Sequence, residues 1–225
     1  MMGVHLKTAY LLIHGLAGSR KELSYLFEKL RAQGLDASYV ILKGHEQSNK
    51  VLSRTTYQEW ISSAHESVAK AFETHEKVVL IGFSMGGLVA SHLCNEFDID
   101  KMIFVNTPIY FWDMKKISGN IVNDLKSRSF HHVKRYFTAS TDKPFRTLLQ
   151  FVMLLNKTKK LMTRIKCDAL VLQSKKDDTV KASSADYIFA SLNGKKQLRF
   201  YDGGSHQIFE SEIKDQVCDD ILSFL

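Results

Sequence analysis

Short apolar segments alternate with helical patterns along the chain, and this alternation constrains the fold more than any other feature. The apolar segments cover residues 10–13, 37–42, 78–83, 102–105, 169–172 and 198–201. Helices are predicted over residues 21–32, 57–72, 85–97, 182–192 and 209–225. Because apolar strands that alternate with amphipathic helices are typical of parallel sheets covered on both faces, we predict an α/β fold. Its sheet should be mainly parallel, with about six strands.

The segment at residues 108–166 breaks this alternation, because it reads as helices without a strand. It is rich in large apolar side chains, and Pro144 stands where a helix would begin. An insertion after the fourth strand lies over the carboxyl ends of the strands, where open α/β sheets bind ligands. We therefore predict a helical cap over residues 108–166 and a core formed by residues 1–107 and 167–225.

Cysteine usage and hydropathy exclude several classes of protein. Cys94, Cys167 and Cys218 are widely spaced and form no paired or metal-binding pattern, so we expect reduced thiols and no metal site. No apolar run approaches the roughly 20 residues that cross a bilayer. The apolar run at residues 9–13 is too short for a signal peptide. We expect a cytoplasmic protein.

The net charge of +7 is unevenly distributed. The segment 108–166 holds 13 basic and 3 acidic residues, a net +10, which leaves −3 for the rest of the chain. No nucleic-acid-binding motif accompanies this charge, so we expect no nucleic-acid partner. A basic cap beside a pocket attracts anions, which favours an anionic substrate or transient contact with an anionic lipid surface. The alternative is that these lysines and arginines only form a hydrated surface.

Ser84 stands at the centre of a G-x-S-x-G pattern at residues 82–86. This pattern often occurs by chance, but here it follows an apolar strand and opens a predicted helix, which is the context of a nucleophile elbow. Strand and helix approach closely at such an elbow, so the positions of Gly82 and Gly86 must be small. The alternative is an ordinary glycine-containing turn of a nucleotide-binding fold.

A serine nucleophile needs a base to remove its proton, and a histidine base needs a carboxylate to hold its tautomer. Among nine histidines, His206 is favoured because it follows the last strand in a glycine-rich turn late in the chain. Asp177 follows the strand at residues 169–172. We predict that Ser84, Asp177 and His206 form a catalytic triad. The alternative for His206 is a solvated turn residue.

A glycine-containing turn at residues 14–18 follows the first strand. Such a turn places a backbone N–H beside the elbow, so the N–H groups of Leu16 and Met85 are the predicted oxyanion hole. His14 and Gly15 then have structural roles. A phosphate-binding loop is the competing interpretation, but neither a Walker pattern nor G-x-G-x-x-G occurs here.

In these motifs the chain resembles the α/β-hydrolase superfamily over nearly its whole length, and it is most similar to small bacterial carboxylesterases and monoacylglycerol lipase-like enzymes. The motifs are HGLAGS at 14–19, KGH at 43–45, GFSMGG at 82–87, QSKKDDTV at 173–180 and GGSHQI at 203–208. The order serine, aspartate, histidine is also that of the superfamily.

The resemblance implies Ser84 as nucleophile, His206 as general base and acid, and an aspartate after the penultimate strand. The spacing usual in the group, applied to Ser174 and Val180, selects Asp177 over Asp178. Little chain precedes the first strand, so we expect the antiparallel edge strands common in the superfamily to be absent.

The resemblance implies hydrolysis of a carboxylic ester through an acyl-enzyme on Ser84, with short to medium acyl chains or monoacylglycerol-like substrates. Thioesterases, acyltransferases and peptidases share these motifs, and a ligand receptor on a hydrolase scaffold is a further alternative. Dehalogenases need a carboxylate in place of Ser84 and do not fit. The apolar cap suggests an acyl pocket, whereas packing of the core is the competing reason for those side chains. We expect a small-molecule ester as the partner, and no cofactor or metal.

Overall fold

The computed structural model describes residues 8–111 and 144–225, which contain one sheet of six parallel strands. The strands are β1 (Thr8–Ile13), β2 (Asp36–Val40), β3 (Lys77–Phe83), β4 (Lys101–Val105), β5 (Asp168–Ser174) and β6 (Lys196–Tyr201). Their spatial order is β2-β1-β3-β4-β5-β6, and each neighbouring pair is parallel. The predicted fold class is confirmed, with β3 and β4 at the centre of the sheet.

Seven α-helices connect or follow the strands in the described part of the chain. They are α1 (Ser24–Ala32), α2 (Asn49–Leu52), α3 (Tyr57–Phe72), α4 (Met85–Leu93), α5 (Pro144–Lys159), α6 (Ser183–Ser191) and α7 (Lys214–Phe224). Short 3-10 helices occupy Arg20–Leu23, Met162–Arg164 and Ile208–Glu210. In these residues, no helix is long and apolar enough to span a membrane.

The two faces of the sheet carry separate apolar layers. On one face α1 and α7 bury residues such as Leu26 and Ile221, and on the other α3, α4 and α6 bury residues such as Trp60 and Leu88. β3 contributes to both layers, because its successive side chains point to opposite faces and every residue after Lys77 is buried. This burial on both sides explains why β3 lacks the polar and apolar alternation of a strand with one wet face.

Several helix and strand ends differ from the predicted boundaries. β2 ends at Val40 rather than at residue 42, because the Leu42 N–H donates to the ring of His14 instead of to a neighbouring strand. α4 ends at Leu93 rather than near residue 97, and the C-terminal segment divides into a 3-10 helix and α7. The short helix α2 was not predicted.

The predicted cap is described only in part, because residues 112–143 lie outside the described residues. α5 begins at Pro144, as the sequence predicts, and packs against α3 and α4 with Phe151 and Leu154 in the same apolar layer. At the other end of the insertion, Phe111 forms an antiparallel bridge to Val180. The division into a core and a cap over residues 108–166 stays a prediction.

Candidate active site

Ser84 lies in a tight turn between β3 and α4, at the carboxyl edge of the sheet. Its backbone adopts φ 50° and ψ −122°, a region that residues with side chains rarely occupy. A Cβ atom at Gly82 would overlap the backbone of α4, and one at Gly86 would overlap the carbonyl group of Ile13. Both positions therefore require glycine, which is the local geometry that the G-x-S-x-G pattern predicts.

The structure brings the three predicted triad residues into one hydrogen-bonded line. The Ser84 hydroxyl lies 3.0 Å from Nε2 of His206, and Nδ1 of His206 lies 2.8 Å from Oδ2 of Asp177. The ring therefore has the tautomer in which Nδ1–H donates to Asp177 and Nε2 accepts the serine proton. Only 16% of the His206 side chain is exposed, and the Asp177 side chain is fully buried. The arrangement can transfer the Ser84 proton to the imidazole.

The aspartate loop (residues 174–180) holds Asp177 in a fixed orientation. Its Oδ1 accepts hydrogen bonds from the N–H groups of Thr179 and Val180, at 2.8 and 2.7 Å. Its Oδ2 accepts from the imidazole at 2.8 Å and from the Gln173 side chain at 3.4 Å. Asp178 is exposed, and its carboxylate accepts from the Thr179 hydroxyl. The structure thus places Asp177, and not Asp178, beside His206.

The glycine loop (residues 14–19) runs beside the elbow. A Cβ atom on Gly15 would lie 3.4 Å from Cβ of Ser84, so the loop backbone and the serine are in van der Waals reach. The N–H groups of Leu16 and Met85 donate no hydrogen bond within the part of the chain that the structure describes. Both predicted donors therefore lie in the segments that flank Ser84 and are free to bind an oxyanion.

His14 and His45 are neutral, buried rings that pack against each other at an interplanar angle of 51°. Their ring centroids are 4.7 Å apart, and burial lowers the pKa of both, to about 3 for His45. Leu42 N–H donates to Nε2 of His14, so Nδ1–H of His14 donates to the Gly15 carbonyl. His14 shapes the glycine loop, as expected, and His45 of the KGH motif supports it by packing against Trp60.

Glu22 is a partly buried carboxylate at the site that the sequence did not single out. It accepts a 2.9 Å hydrogen bond from the Gly15 N–H and a 3.3 Å bond from the Gln207 side chain. Burial raises the pKa of the Glu22 carboxyl, opposed by these two donors and by the nearby His206. In the sequence Glu22 has the pattern of a residue on the polar face of a surface helix, so its neighbours in the chain do not predict a role at the site.

Asn106, directly after β4, is the second supporting residue that the sequence analysis missed. It is fully buried and bonded to both the aspartate loop and the histidine loop (residues 203–208). A signal was present, because an asparagine that follows an apolar strand stands at the edge of the sheet where ligands bind. That signal predicts where Asn106 lies but does not predict its hydrogen-bond partners.

Two of the three cysteines approach each other away from the site. Cys94 and Cys167 are free thiols with their Sγ atoms 4.0 Å apart, and Cys218 is buried elsewhere. Contact with Cys167 and burial raise the pKa of the Cys94 thiol well above its ordinary value. No group of three or more histidine, cysteine, aspartate or glutamate side chains is arranged to hold a metal ion among the described residues.

Comparison with known proteins identifies a family and several relatives. The model of the family described as "Serine aminopeptidase, S33" matches residues 5–144. A thermostable monoacylglycerol lipase of Bacillus sp. (strain H-257) is 27% identical over 198 residues, which are 83% of this chain and 77% of the lipase. A carboxylesterase of Bacillus subtilis (strain 168) is 21% identical over 227 residues, 96% of this chain and 92% of the esterase.

Solved structures show the same fold at low sequence identity. A structure from work on LipS and LipT, two metagenome-derived lipolytic enzymes, superposes with a TM-score of 0.81 at 16% identity and covers 97% of this chain and 93% of its own. The monoacylglycerol lipase of Paleococcus ferrophilus superposes with a TM-score of 0.72 at 18% identity, over 96% of this chain and 93% of the lipase. The resemblance drawn from the sequence motifs is confirmed at the level of fold and family.

Proposed function

The chain belongs to the serine aminopeptidase S33 family of α/β-hydrolases, and on that premise we propose that it is a serine hydrolase that cleaves carboxylic esters. The observation that carries the proposal is the position of the His206 ring, whose two nitrogens lie 3.0 Å from the Ser84 hydroxyl and 2.8 Å from the Asp177 carboxylate. That arrangement supplies both a nucleophile and the base that activates it.

In the proposed reaction Ser84 attacks the ester carbonyl while His206 removes the serine proton. The negative oxygen of the tetrahedral intermediate binds the N–H groups of Leu16 and Met85, next to the positive end of α4. His206 then protonates the leaving alcohol, and an acyl group stays on Ser84. A water molecule, deprotonated by His206, hydrolyses this acyl-enzyme and restores the serine.

Two observations support an ester with a short to medium acyl chain, or a monoacylglycerol-like ester, as the substrate. Two relatives of this chain are a monoacylglycerol lipase and a carboxylesterase. The described end of the cap also carries two exposed apolar side chains, Leu149 and Met153, one helical turn apart on α5. Apolar residues at a cap suit a hydrocarbon chain better than a polar leaving group.

The basic charge of the cap supports an anionic substrate or an anionic lipid surface as the partner. Residues 144–166 contain six basic residues and no acidic residue. Three of them, Lys157, Lys160 and Arg164, line one surface groove of about 490 Å³ beside α3 and α4, where Glu96 is the one acidic lining residue. A positive surface attracts anions over a distance set by the Debye length, about 30 Å at 0.01 M salt and 8 Å at 0.15 M.

The first experiment is a screen of p-nitrophenyl esters of increasing chain length with the wild type and Ser84→Ala. Turnover of a simple ester at more than about one per second by the wild type, lost in Ser84→Ala, supports the proposal and excludes a receptor without catalysis. A thioester and an aminoacyl anilide with the same acyl group test the thioesterase and peptidase alternatives. Faster turnover of either one would replace the ester as the preferred substrate.

The charge proposal needs a matched pair of esters, one neutral and one with a carboxylate on the leaving group. We expect kcat/KM for the anionic ester, relative to the neutral one, to rise several-fold when salt falls from 0.15 to 0.01 M. A ratio that does not change with salt, together with no binding to anionic vesicles, would mean that the basic cap is only a hydrated surface.

A further inference from the structure

Asn106 joins the two loops that carry Asp177 and His206. Its Oδ1 accepts the Ser174 N–H at 2.9 Å, and its Nδ2 donates to the carbonyl oxygens of Ser205 and His206 at 3.2 and 3.0 Å. The orientation of the amide is fixed, because exchange of its oxygen and nitrogen would set acceptor against acceptor on one side and donor against donor on the other. All of these partners belong to the aspartate loop or the histidine loop.

The backbone around Asn106 reaches the third catalytic segment. The carbonyl of Val105 accepts the Ser84 N–H at 2.8 Å, and the Asn106 N–H donates to Leu172 at the end of β5. Two consecutive residues at the end of β4 therefore contact all three segments that carry the triad.

The backbone conformation of Asn106 has an energetic cost. Its φ of 45° lies in the left-handed region, which is unfavourable for residues with a side chain, although less so for asparagine than for most. Asn106 is also fully buried, so its amide loses contact with water. A strained, buried polar residue persists where its surroundings determine its conformation, and here those surroundings are the loops of the site.

We propose that Asn106 is a positioning residue, which holds the aspartate and histidine loops in the register where the His206 ring spans Ser84 and Asp177. This inference rests on the proposed function, because a positioning role needs a reaction to serve. Asn106 does not touch the reacting atoms. It acts through the backbone of His206 and through Ser174, which begins the turn that carries Asp177.

Two substitutions at Asn106 distinguish the effect of its side-chain hydrogen bonds from the effect of its backbone conformation. Asn106→Asp keeps the shape and the acceptor for Ser174, but it sets a carboxylate oxygen against two carbonyl oxygens. Asn106→Gly accepts the positive φ without strain and removes every side-chain hydrogen bond. Displacement of a catalytic group by about 1 Å can cost on the order of 100-fold in rate, so we expect both variants to lose roughly 10- to 100-fold in kcat with KM within about threefold.

The reaction of Ser84 with a fluorophosphonate tests the proposal without an ester substrate. In this reaction Ser84 Oγ forms a bond to phosphorus, fluoride leaves, and the serine proton passes to His206. The second-order rate of labelling, followed by intact mass, reports the Ser84–His206 pair even if the ester proposal fails. A wild type that labels at Ser84 but hydrolyses no ester contradicts the proposed function and leaves the positioning test in place.

Thr55→Val serves as the control for lost stability. Thr55 is buried, and its hydroxyl accepts from Trp60 Nε1 and donates to the Leu52 carbonyl. In the described residues it has no hydrogen bond to the three segments that carry the triad. Slower labelling of both Asn106 variants, with Thr55→Val of similar or lower Tm within about twofold of wild type, supports the proposal. The downfield proton resonance of the His206–Asp177 hydrogen bond should also weaken in the Asn106 variants alone.

Three results would overturn the positioning role. One is a folded Asn106→Gly or Asn106→Asp protein that labels within about twofold of wild type. Another is slowing by Thr55→Val equal to that of the Asn106 variants at matched Tm. The third is a wild type that does not label at Ser84, because a positioned His206 would activate that serine. If one Asn106 variant does not fold, the other decides the result.

Discussion

Each side of Ser84 is held by one polar side chain, partly buried in Glu22 and fully buried in Asn106, and the two side chains differ in charge. Glu22 holds the glycine loop through Gly15, whereas Asn106 holds the aspartate and histidine loops through Ser174 and His206. A carboxylate can gain a proton and an amide cannot. The support of the glycine loop should therefore depend on pH, while the support of the triad should not.

The two sides also differ in what they contribute to the reaction. In the proposed reaction the triad side supplies the base and its orienting carboxylate, and the glycine loop supplies one of two donors to an oxyanion. Loss of the base removes activation of the nucleophile, while partial displacement of one donor weakens only the stabilisation of charge. The largest effects of substitution should therefore lie on the triad side.

Removal of the base should have the largest effect. His206→Ala leaves Ser84 without a proton acceptor, so kcat for an ester should fall by on the order of 10⁴ or more with the fold intact. Steady-state kinetics together with the near-ultraviolet circular dichroism spectrum measure both quantities. A folded variant with a tenth of the wild-type kcat would contradict the triad.

Substitution of the orienting carboxylate should have the second-largest effect on kcat. The neighbouring residue Asp178 provides a matched control. Asp177→Asn removes the acceptor that fixes the His206 tautomer, so kcat should fall by roughly 10³- to 10⁴-fold. Asp178→Asn changes an exposed neighbour and should stay within about twofold of wild type. Equal losses, or the reverse order in the same kinetic assay, would show that the structure assigns the wrong aspartate.

On the glycine side, Gly18→Ala should displace the carboxylate of Glu22. A Cβ atom at position 18 overlaps that carboxylate, which must then leave the Gly15 N–H. We expect kcat to fall about tenfold, less than the loss of a whole oxyanion donor. The decisive measurement is the double-mutant cycle with Glu22→Ala, where Gly18→Ala should have no further effect. A loss that is the same in both backgrounds would mean that Glu22 does not hold the loop.

The smallest effect should be that of Glu22→Gln on the free energy of unfolding. Its sign follows from the raised pKa of Glu22. The folded protein binds this proton more tightly than the unfolded chain, so stability decreases as pH rises between the unfolded and folded pKa values. Glu22→Gln keeps an acceptor for Gly15 and removes the buried charge. It should be more stable than the wild type at pH 8, by an amount that disappears near pH 4, with kcat within about threefold.

Urea unfolding at several pH values measures this difference, and Glu28→Gln is the control because Glu28 is exposed on the neighbouring helix α1. Glu28→Gln should show no such trend. A Glu22→Gln protein that is less stable than the wild type at pH 8 would mean that the contacts of the carboxylate outweigh the cost of burying its charge.

The features that the sequence predicted correctly depend on neighbours in the chain. The strands follow from runs such as residues 78–83, and the elbow follows from the spacing of Gly82, Ser84 and Gly86. Asp177 and His206 could be selected because each follows a strand whose carboxyl end lies at the same edge of a parallel sheet. Residue type and position in the chain are sufficient to predict these features.

The features that were missed depend on contacts between distant residues. Gln207 is 185 positions from Glu22, and the carbonyl of His206 is 100 positions from Asn106. Cys94 and Cys167, which the sequence treated as unrelated, are 73 positions apart. The type of each residue permits a surface role equally well, so only the packing of the sheet and loops shows which polar groups are buried together.

The acyl-enzyme on Ser84 is the central claim, and its direct detection is the sharpest test. A slowly deacylating p-nitrophenyl ester is mixed with the protein, quenched in acid during turnover, and digested for mass spectrometry. The wild type should carry one acyl group on the peptide that contains Ser84, and Ser84→Ala should carry none and release no p-nitrophenol. An acyl group on another residue, or undiminished hydrolysis by Ser84→Ala, would contradict the account.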